Sequence, residues 1–495
     1  MTDPQQNHMP LVSALHAYRN ARSARFHIPG HAGEVASGSV FHELFGGVLP
    51  FDVTEIEGLD DLHQPEDCIA DAERLAAHFY GSDQTFFLVQ GSSLGNQAMI
   101  AAHCRQGDVV LVQRNVHQSI VHGLLLAEVR VVWLMPEVDL MTGIASSVSI
   151  RTLTEALQAN QHSAIRAVIL QRPNYYGQIG ADFQQIVSLA HDKCAMVMVD
   201  EAHGAHFGIH HQLPQSSLQL GADVVVQSTH KMLGSLTMGA MLHVQGPLVD
   251  VPAIRRTLRV LQTSSPSYLI MASLDAIRGA LQHEGIVKIE RVISRSTMLR
   301  KLLDEHQHLE VVDAEDPCKI VIFDRHGSRT GFELKKWFEE RGCIPELADL
   351  NHVVFVITWQ TPDEFIDRLQ VTCLKYSCLE QSDVKKYTIV EFSDVEFSFE
   401  PKQMPSLSQW LHGNSHEFIH SVPIELAEGC ICADSITPYP PGIPIVFPGE
   451  LIRASHVKNI FIFYAAGAMI KGTHKHEKTD QLMVRIRSHK GENQE

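Results

Sequence analysis

Residues 195–204 read AMVMVDEAHG: five apolar residues, two acids, a small residue, a histidine and a glycine. A run this short, apolar at consecutive positions and closed by turn residues, predicts a strand buried on both faces. Five more runs of the same kind lie around it: TFFLVQ (85–90), DVVLVQ (108–113), VRVVWLM (129–135), RAVILQ (166–171) and ADVVVQ (222–227). Longer stretches with helical periodicity separate them. The alternation predicts βαβ units, hence an α/β fold with a mainly parallel sheet covered by helices. In such open sheets ligands gather outside the carboxyl ends of the strands. Asp200 closes one run, and His230 and Lys231 follow closely on the next, so these side chains are predicted to share a site.

An acid and a lysine on neighbouring strand ends suit pyridoxal phosphate. The lysine forms the Schiff base, and the carboxylate keeps the pyridine nitrogen protonated. A place for the phosphate is offered by VQGSSLGNQAMIAAH (89–103), where Gly91, Ser92 and Ser93 stand between a strand and a predicted helix start. Hydroxyls and unpaired N–H groups at a helix N-terminus suit a dianion, although an ordinary serine cap has the same sequence appearance. DEAHGAHFGIHHQ (200–212) holds two carboxylates and four histidines, which raises a metal reading. That reading needs three or four converging ligands, and it leaves the lysine and the serines without a part. No metal is expected, and His206, His210 and His211 are expected to be solvent-facing or structural. DVTEIEGLDDLHQP (52–65) concentrates five acids in ten positions. It reads either as a solvated loop or as the mouth of the site, where Glu55, Asp60 or Asp61 would meet a cationic substrate side chain.

At 495 residues the chain is too long for one core, so two or three domains are expected. Its 40 Lys and Arg stand against 57 Asp and Glu, a formal net charge of -17, which disfavours nucleic acid and anionic membranes as partners. Nine scattered cysteines without a CxxC pair fit a reducing cytoplasm. MTDPQQNHMP at the amino terminus lacks the features of a signal peptide. IFIFYAAGAMI (460–470) is too short to span a bilayer and predicts a buried helix or strand. A helical region from Tyr268 to His306 is expected to bridge two domains. Beyond it, CKIVIFD (318–324) and NHVVFVITW (351–359) flank the helical GFELKKWFEERG (331–342), the pattern of a small α+β domain. The charge-mixed EQSDVKKYT (380–388) then precedes a terminal module containing ITPYPPGIPIVFPGE (436–450). The expected organisation is an N-terminal arm (1–50), a large cofactor-binding domain (51–290), a small α+β domain (291–380) and a C-terminal domain (381–495).

Eight motifs, in order, extend the reading: FHIPGHAG (26–33), GLDDLHQP (58–65), QGSSLGN (90–96), RNVHQS (114–119), VDEAHGAH (199–206), STHKMLGSLT (228–237), LQTSSPSYLIMASLD (261–275) and YPPGIPIVFPGE (439–450). Together they resemble the Orn/Lys/Arg decarboxylase family of fold-type I, aspartate-aminotransferase-like pyridoxal-phosphate enzymes, over nearly the whole chain. The length is closer to the shorter biosynthetic arginine and lysine decarboxylases than to the inducible acid-stress members. The resemblance implies that Lys231 carries the Schiff base, Asp200 binds the pyridinium nitrogen, and His117 stacks on the ring with Ala202 against its other face. It implies further that Ser92, Ser93, Ser228 and His230 hold the phosphate, and that His203 lies near the ring or the substrate carboxylate. Thr263 and Ser264 would reach the cofactor of a neighbouring subunit, making the protein a homodimer or higher homo-oligomer. The activity implied is α-decarboxylation of a basic amino acid, arginine to agmatine first and lysine to cadaverine second. Lys231 and His230 are both candidates for returning the proton to Cα. Two other readings stay open: a different fold-type I activity, such as an aminotransferase or a lyase, and a catalytically silent relative that acts by binding. The intact Lys231, Asp200 and His117 weigh against the silent relative.

Overall fold

The computed structural model describes residues 7–34, 38–377, 399–413, 417–439, 442–476, 479 and 481–489. The passage 380–388, the expected boundary at 380/381, and Pro440 and Pro441 of the proline-rich segment lie outside the described residues. All six apolar runs form strands: β1 (Gln84–Leu88), β2 (Val109–Gln113), β3 (Arg130–Leu134), β4 (Ile165–Gln171), β5 (Met196–Asp200) and β6 (Val224–Gln227). A seventh strand, β7 (Ala240–Val244), was not foreseen. The chain divides into two compact units.

The first unit comprises Met1–His103, Met196–Arg291 and Thr358–Gln360. Its strands run in the order β1-β7-β6-β5, with β5 and β6 parallel and β7 antiparallel to both β6 and β1. This end of the sheet therefore departs from the parallel expectation. All residues of β5, β6 and β7 are buried. That is why β5 and β6 are apolar up to their last residue, each Val contributing about 1.5–3 kcal/mol on burial, whereas β7 buries the polar His243 as well. The helix Gly91–His103 comes down closely on β1 and β6, because a Cβ on Gly95 would lie 2.7 Å from both Leu88 Cδ1 and Val226 Cγ1. The N-terminal helix Pro10–Asn20 is tied to this unit by Asp275, whose Oδ2 accepts the Leu11 N–H at 3.1 Å while its other oxygen pairs with buried Arg278 at 2.7 Å. The predicted long helix is two helices, Tyr268–Ala280 and Ile286–Asp304, joined by a π turn at Leu281–Gly285.

The second unit comprises Cys104–Ala195, Val292–Ile357 and Thr361–Glu495. Here β2 lies between β4 and β3, parallel to both, and the short strand Lys402–Gln403 pairs antiparallel with β3. A smaller antiparallel sheet contains the two strands read from CKIVIFD and NHVVFVITW, now Lys319–Asp324 and His352–Val356. The helix Gly331–Glu339 accompanies them. Thr330 and Glu333 close its N-terminus in a reciprocal capping box. Towards the carboxyl terminus, Glu417–Pro423 pairs with Leu482–His489 around a core of Ile436, Val446, Ile460 and Val484. IFIFYAAGAMI divides between the helix Ala454–Ala465 and the strand Met469–Lys471; Ile460 and Ile470 are buried and Met469 is exposed. Among the described residues no helix is long and apolar enough to cross a membrane.

Candidate active site

Asp200 leaves the carboxyl end of β5 only 3% exposed. Its Oδ2 accepts a hydrogen bond from Asn96 Nδ2 at 2.7 Å and its Oδ1 one from the Ala202 N–H at 3.1 Å, so the carboxylate is held from two sides. Burial holds its pKa above the usual carboxylate value, and the Lys231 charge and these two donors offset only part of that rise. Lys231 lies on the single-turn helix Thr229–Met232 that follows β6, with its Nζ 3.3 Å from His203 Nε2. His203 and Ala202, both buried, come from the turn after β5. Ser228 is the N-cap of the Lys231 turn, and its hydroxyl donates to that of Ser92 at 2.7 Å; both serines are buried. Ser93 is exposed on the first turn of Gly91–His103. His230 is turned to Gly239, whose carbonyl stands 3.1 Å from its backbone N and 3.0 Å from its ring Nδ1.

Asn96 was missed by the sequence reading. Its signal is its place four residues after Ser92, on the same face of one helix. Glu201 was missed as well. Fully buried, it accepts hydrogen bonds from Gln227 Nε2 and the Ser217 N–H, each at 2.7 Å, and from the Ser217 hydroxyl. Gln227 Oε1 meets His243 Nε2 at 3.1 Å, and His243 Nδ1 meets Thr85 Oγ1 at 2.8 Å. One polar chain thus crosses β6, β7 and β1 behind the strand end that carries Asp200.

The TSS turn is held from within its own chain. The Thr263 N–H donates to Gln90 Oε1 at 2.7 Å, its carbonyl lies 2.8 Å from His63 Nε2, and its hydroxyl accepts the Ser265 N–H at 3.1 Å. Ser264 is exposed. In the acidic loop Asp60 is engaged by the backbone. This residue has a φ of 69° and accepts backbone N–H groups from Asp61 (2.9 Å), Glu66 (3.0 Å), Asp67 (2.9 Å), Ile69 (2.9 Å) and Ala70 (3.3 Å). Burial alone would raise its pKa, and the backbone donors outweigh that and hold it low. Both oxygens accept from the loop and from the start of helix Cys68–Tyr80, the arrangement of a helix cap. Asp61 is exposed and accepts the His63 N–H at 2.7 Å. Glu55 Oε2 accepts from Thr54 Oγ1 at 2.6 Å, and Oε1 is buried without a hydrogen-bond partner among the described residues.

In the second unit His117 caps the helix Gln118–Ala127, with its Nδ1 2.8 Å from Ser119 Oγ and 3.2 Å from the Ser119 N. Of the remaining histidines of the 200–212 stretch, His206 and His210 are buried and His211 is exposed. His210 Nε2 lies 3.3 Å from Glu290 Oε1.

These donors and acceptors fit pyridoxal phosphate. A buried carboxylate whose desolvation a protonated ring nitrogen would offset, an amine on the adjoining strand end, and two serine hydroxyls at a helix N-terminus answer its three polar ends. Gly91, at φ 78°, leaves open space where a side chain would stand.

Residues 9–322 match the model of the Orn/Lys/Arg decarboxylase major domain, and residues 396–471 that of the Orn/Lys/Arg decarboxylase C-terminal domain. The uncharacterized protein YaaO of Bacillus subtilis is 36% identical, over 97% of this chain and 99% of its own. The arginine decarboxylase of Bacillus anthracis is 33% identical over 94% and 95%. Among solved structures, lysine decarboxylase A from Pseudomonas aeruginosa shares the fold with a TM-score of 0.81 at 19% identity, over 97% of this chain and 80% of that one. The chain belongs to the Orn/Lys/Arg decarboxylase family and is a pyridoxal-phosphate-dependent amino-acid decarboxylase.

Proposed function

We propose that this enzyme removes the α-carboxylate of arginine, giving agmatine and carbon dioxide; decarboxylation of lysine to cadaverine is the second reading. The observation that carries the chemistry is the buried Asp200 beside Lys231. The choice of arginine rests on relatives named arginine decarboxylase at 33–34% identity over most of their length.

When bound, pyridoxal phosphate supplies the electron sink that accepts the bonding pair as carbon dioxide leaves. Asp200 would keep a proton on the ring nitrogen, and Asn96 and Ala202 fix the direction of its carboxylate. Lys231 is the residue that anchors the cofactor covalently. Ser92, Ser93, Ser228 and His230 would hold its phosphate, and Ala202 and His117 are the residues that would pack on its ring. His203, within 3.3 Å of the Lys231 amine, is suited to pass a proton to and from Nζ. The His230 ring is engaged by the Gly239 carbonyl, which favours Lys231 as the group that returns a proton to Cα.

The guanidinium is met by a carboxylate of the acidic loop, for which Glu55 and Asp61 remain the candidates. On this reading the protein works in the cytoplasm as a homodimer or higher homo-oligomer in which Thr263 and Ser264 reach the neighbouring site, with the domain organisation 1–50, 51–290, 291–380 and 381–495. Purified protein loaded with pyridoxal phosphate and offered arginine, lysine and ornithine separately tests the substrate. Agmatine should form fastest, and cadaverine or putrescine as dominant product would overturn the choice.

A further inference from the structure

Arg114 is the first residue beyond β2 and stands three before His117. Its backbone N–H donates to Leu134 O at 2.8 Å, so the main chain is still part of the sheet. The side chain, 3% exposed, turns instead to the C-terminal segment. Nη1 donates to Pro444 O and Nη2 to Ile445 O, both at 3.1 Å, and Nη2 also reaches Glu450 Oε2 at 3.2 Å. The guanidinium lies 3.7 Å above the ring of Phe447, which is itself stacked on Trp133 of β3 with centroids 4.3 Å apart and planes 14° from parallel. Glu450 Oε2 additionally accepts the Phe447 N–H at 2.9 Å, closing the segment on itself.

A buried ion pair is weak evidence for stability, since well-packed apolar side chains often do as well. What a planar, many-armed guanidinium adds is a single defined arrangement of the groups around it. The other end of the same segment reaches His117. Gly442 has a φ of 89°, and a Cβ built on it would lie 3.5 Å from His117 Cδ2 and 3.4 Å from Tyr439 Cδ2. Ser119 holds one edge of the histidine ring and Gly442 stands at the other.

We propose that Arg114, paired with Glu450, is a positioning residue that seats the segment Gly442–Glu450 against His117 and so fixes the attitude of that ring. The inference rests on the reading of His117 as the residue that stacks on the cofactor. Neither Arg114 nor Glu450 touches a reacting atom; both act through the histidine.

The test compares the holoenzyme with Arg114→Met, Arg114→Lys, Glu450→Gln and the reference variant His117→Ala. Four quantities are read: deuterium uptake of peptides covering 439–450, the cofactor's visible absorbance and circular dichroism, its dissociation constant, and kcat apart from KM. Arg114→Met should raise uptake in 442–450, shift the cofactor bands in the direction that His117→Ala shifts them, and lower kcat about tenfold, as expected for the loss of one charge-assisted contact. Arg114→Lys and Glu450→Gln should fall between Arg114→Met and the parent, and they decide the matter if Arg114→Met does not fold. Faster uptake in 442–450 with cofactor bands, affinity and kcat all at parent values, while His117→Ala changes them, overturns the coupling. If His117→Ala itself leaves the cofactor bands unmoved, the stacking role fails first and the inference falls with it.

Discussion

Replacing Asp200 with asparagine exchanges one acceptor oxygen for a donor in a place where both neighbours are donors. Asn96 Nδ2 at 2.7 Å and the Ala202 N–H at 3.1 Å each use one carboxylate oxygen, so whichever way the new amide turns, one N–H faces another N–H. The loss of a charge-assisted hydrogen bond is worth about 2 kcal/mol, and an unpaired buried donor adds roughly another 2 kcal/mol. The attraction to Lys231 disappears as well. If this sum of about 4 kcal/mol falls on the protonated state of the ring nitrogen, kcat should drop about a thousandfold. The assay is release of labelled carbon dioxide from carboxyl-labelled arginine at saturating substrate and cofactor, with retained cofactor measured after desalting. A kcat within tenfold of the parent at full cofactor content, against that thousandfold expectation, would refute the role given to this carboxylate.

Lys231→Ala should leave no cofactor fixed to the protein by borohydride, and a labelled peptide at any other lysine would displace Lys231 from its role. Mixing that variant with an inactive Thr263 variant should restore about a quarter of the parent sites if subunits exchange freely and each site draws on both chains; no recovery in confirmed heterodimers means that each site is built within one chain. Asp60→Ala should lower the melting temperature through a loss of about 1–3 kcal/mol of capping and leave the arginine-to-lysine preference unchanged, so an altered preference would return Asp60 to the substrate site. Glu73, whose Oε1 accepts the Phe87 N–H at 2.8 Å, has its pKa pushed by burial from 4.5 up to about 8. The folded protein then binds the extra proton more tightly than the unfolded chain, and the stability it contributes is full below pH 4.5 and falls as the pH rises towards 8. Glu73→Gln should remove that slope, with a stability gain over the parent that grows from pH 5 to pH 8; parallel melting curves across that range would show that the carboxyl is not titrating there.

Where a strand is buried on both faces its sequence declares it, and six runs did so. The direction of a strand leaves no such mark. TFFL in β1 looks the same whether its neighbour runs with it or against it, so the antiparallel pairing with β7 stayed hidden. β7 itself, AMLHV, was masked by His243, a polar residue that reads as a break although its ring is buried between Thr85 and Gln227. Asp200 and Lys231 were legible because their chemistry is tied to strand ends. The capping contacts of Asp60 were not foreseen, because its five partners are backbone N–H groups, which no side-chain pattern reports. Asn96 and Glu201 stood inside quoted motifs but act by holding other groups, and sequence identifies a reactive residue more readily than the one that aims it.

The pairing of β1 with β7 joins Gln84 to Val244 and Leu88 to Ala240. A ribosome releases the first strand long before it makes the second: at 5–20 residues per second the delay is roughly 10–30 s. During that interval Phe86, Phe87 and Leu88, all buried in the finished protein, have no sheet to enter. A slightly shorter interval separates Ser92 from Ser228, so the hydrogen bond between their hydroxyls cannot exist on a nascent chain that has not yet reached Ser228. In the proposed site, loading with cofactor is therefore a late event in the life of each polypeptide, and the early apolar strand waits for its sheet partner over the same stretch of synthesis.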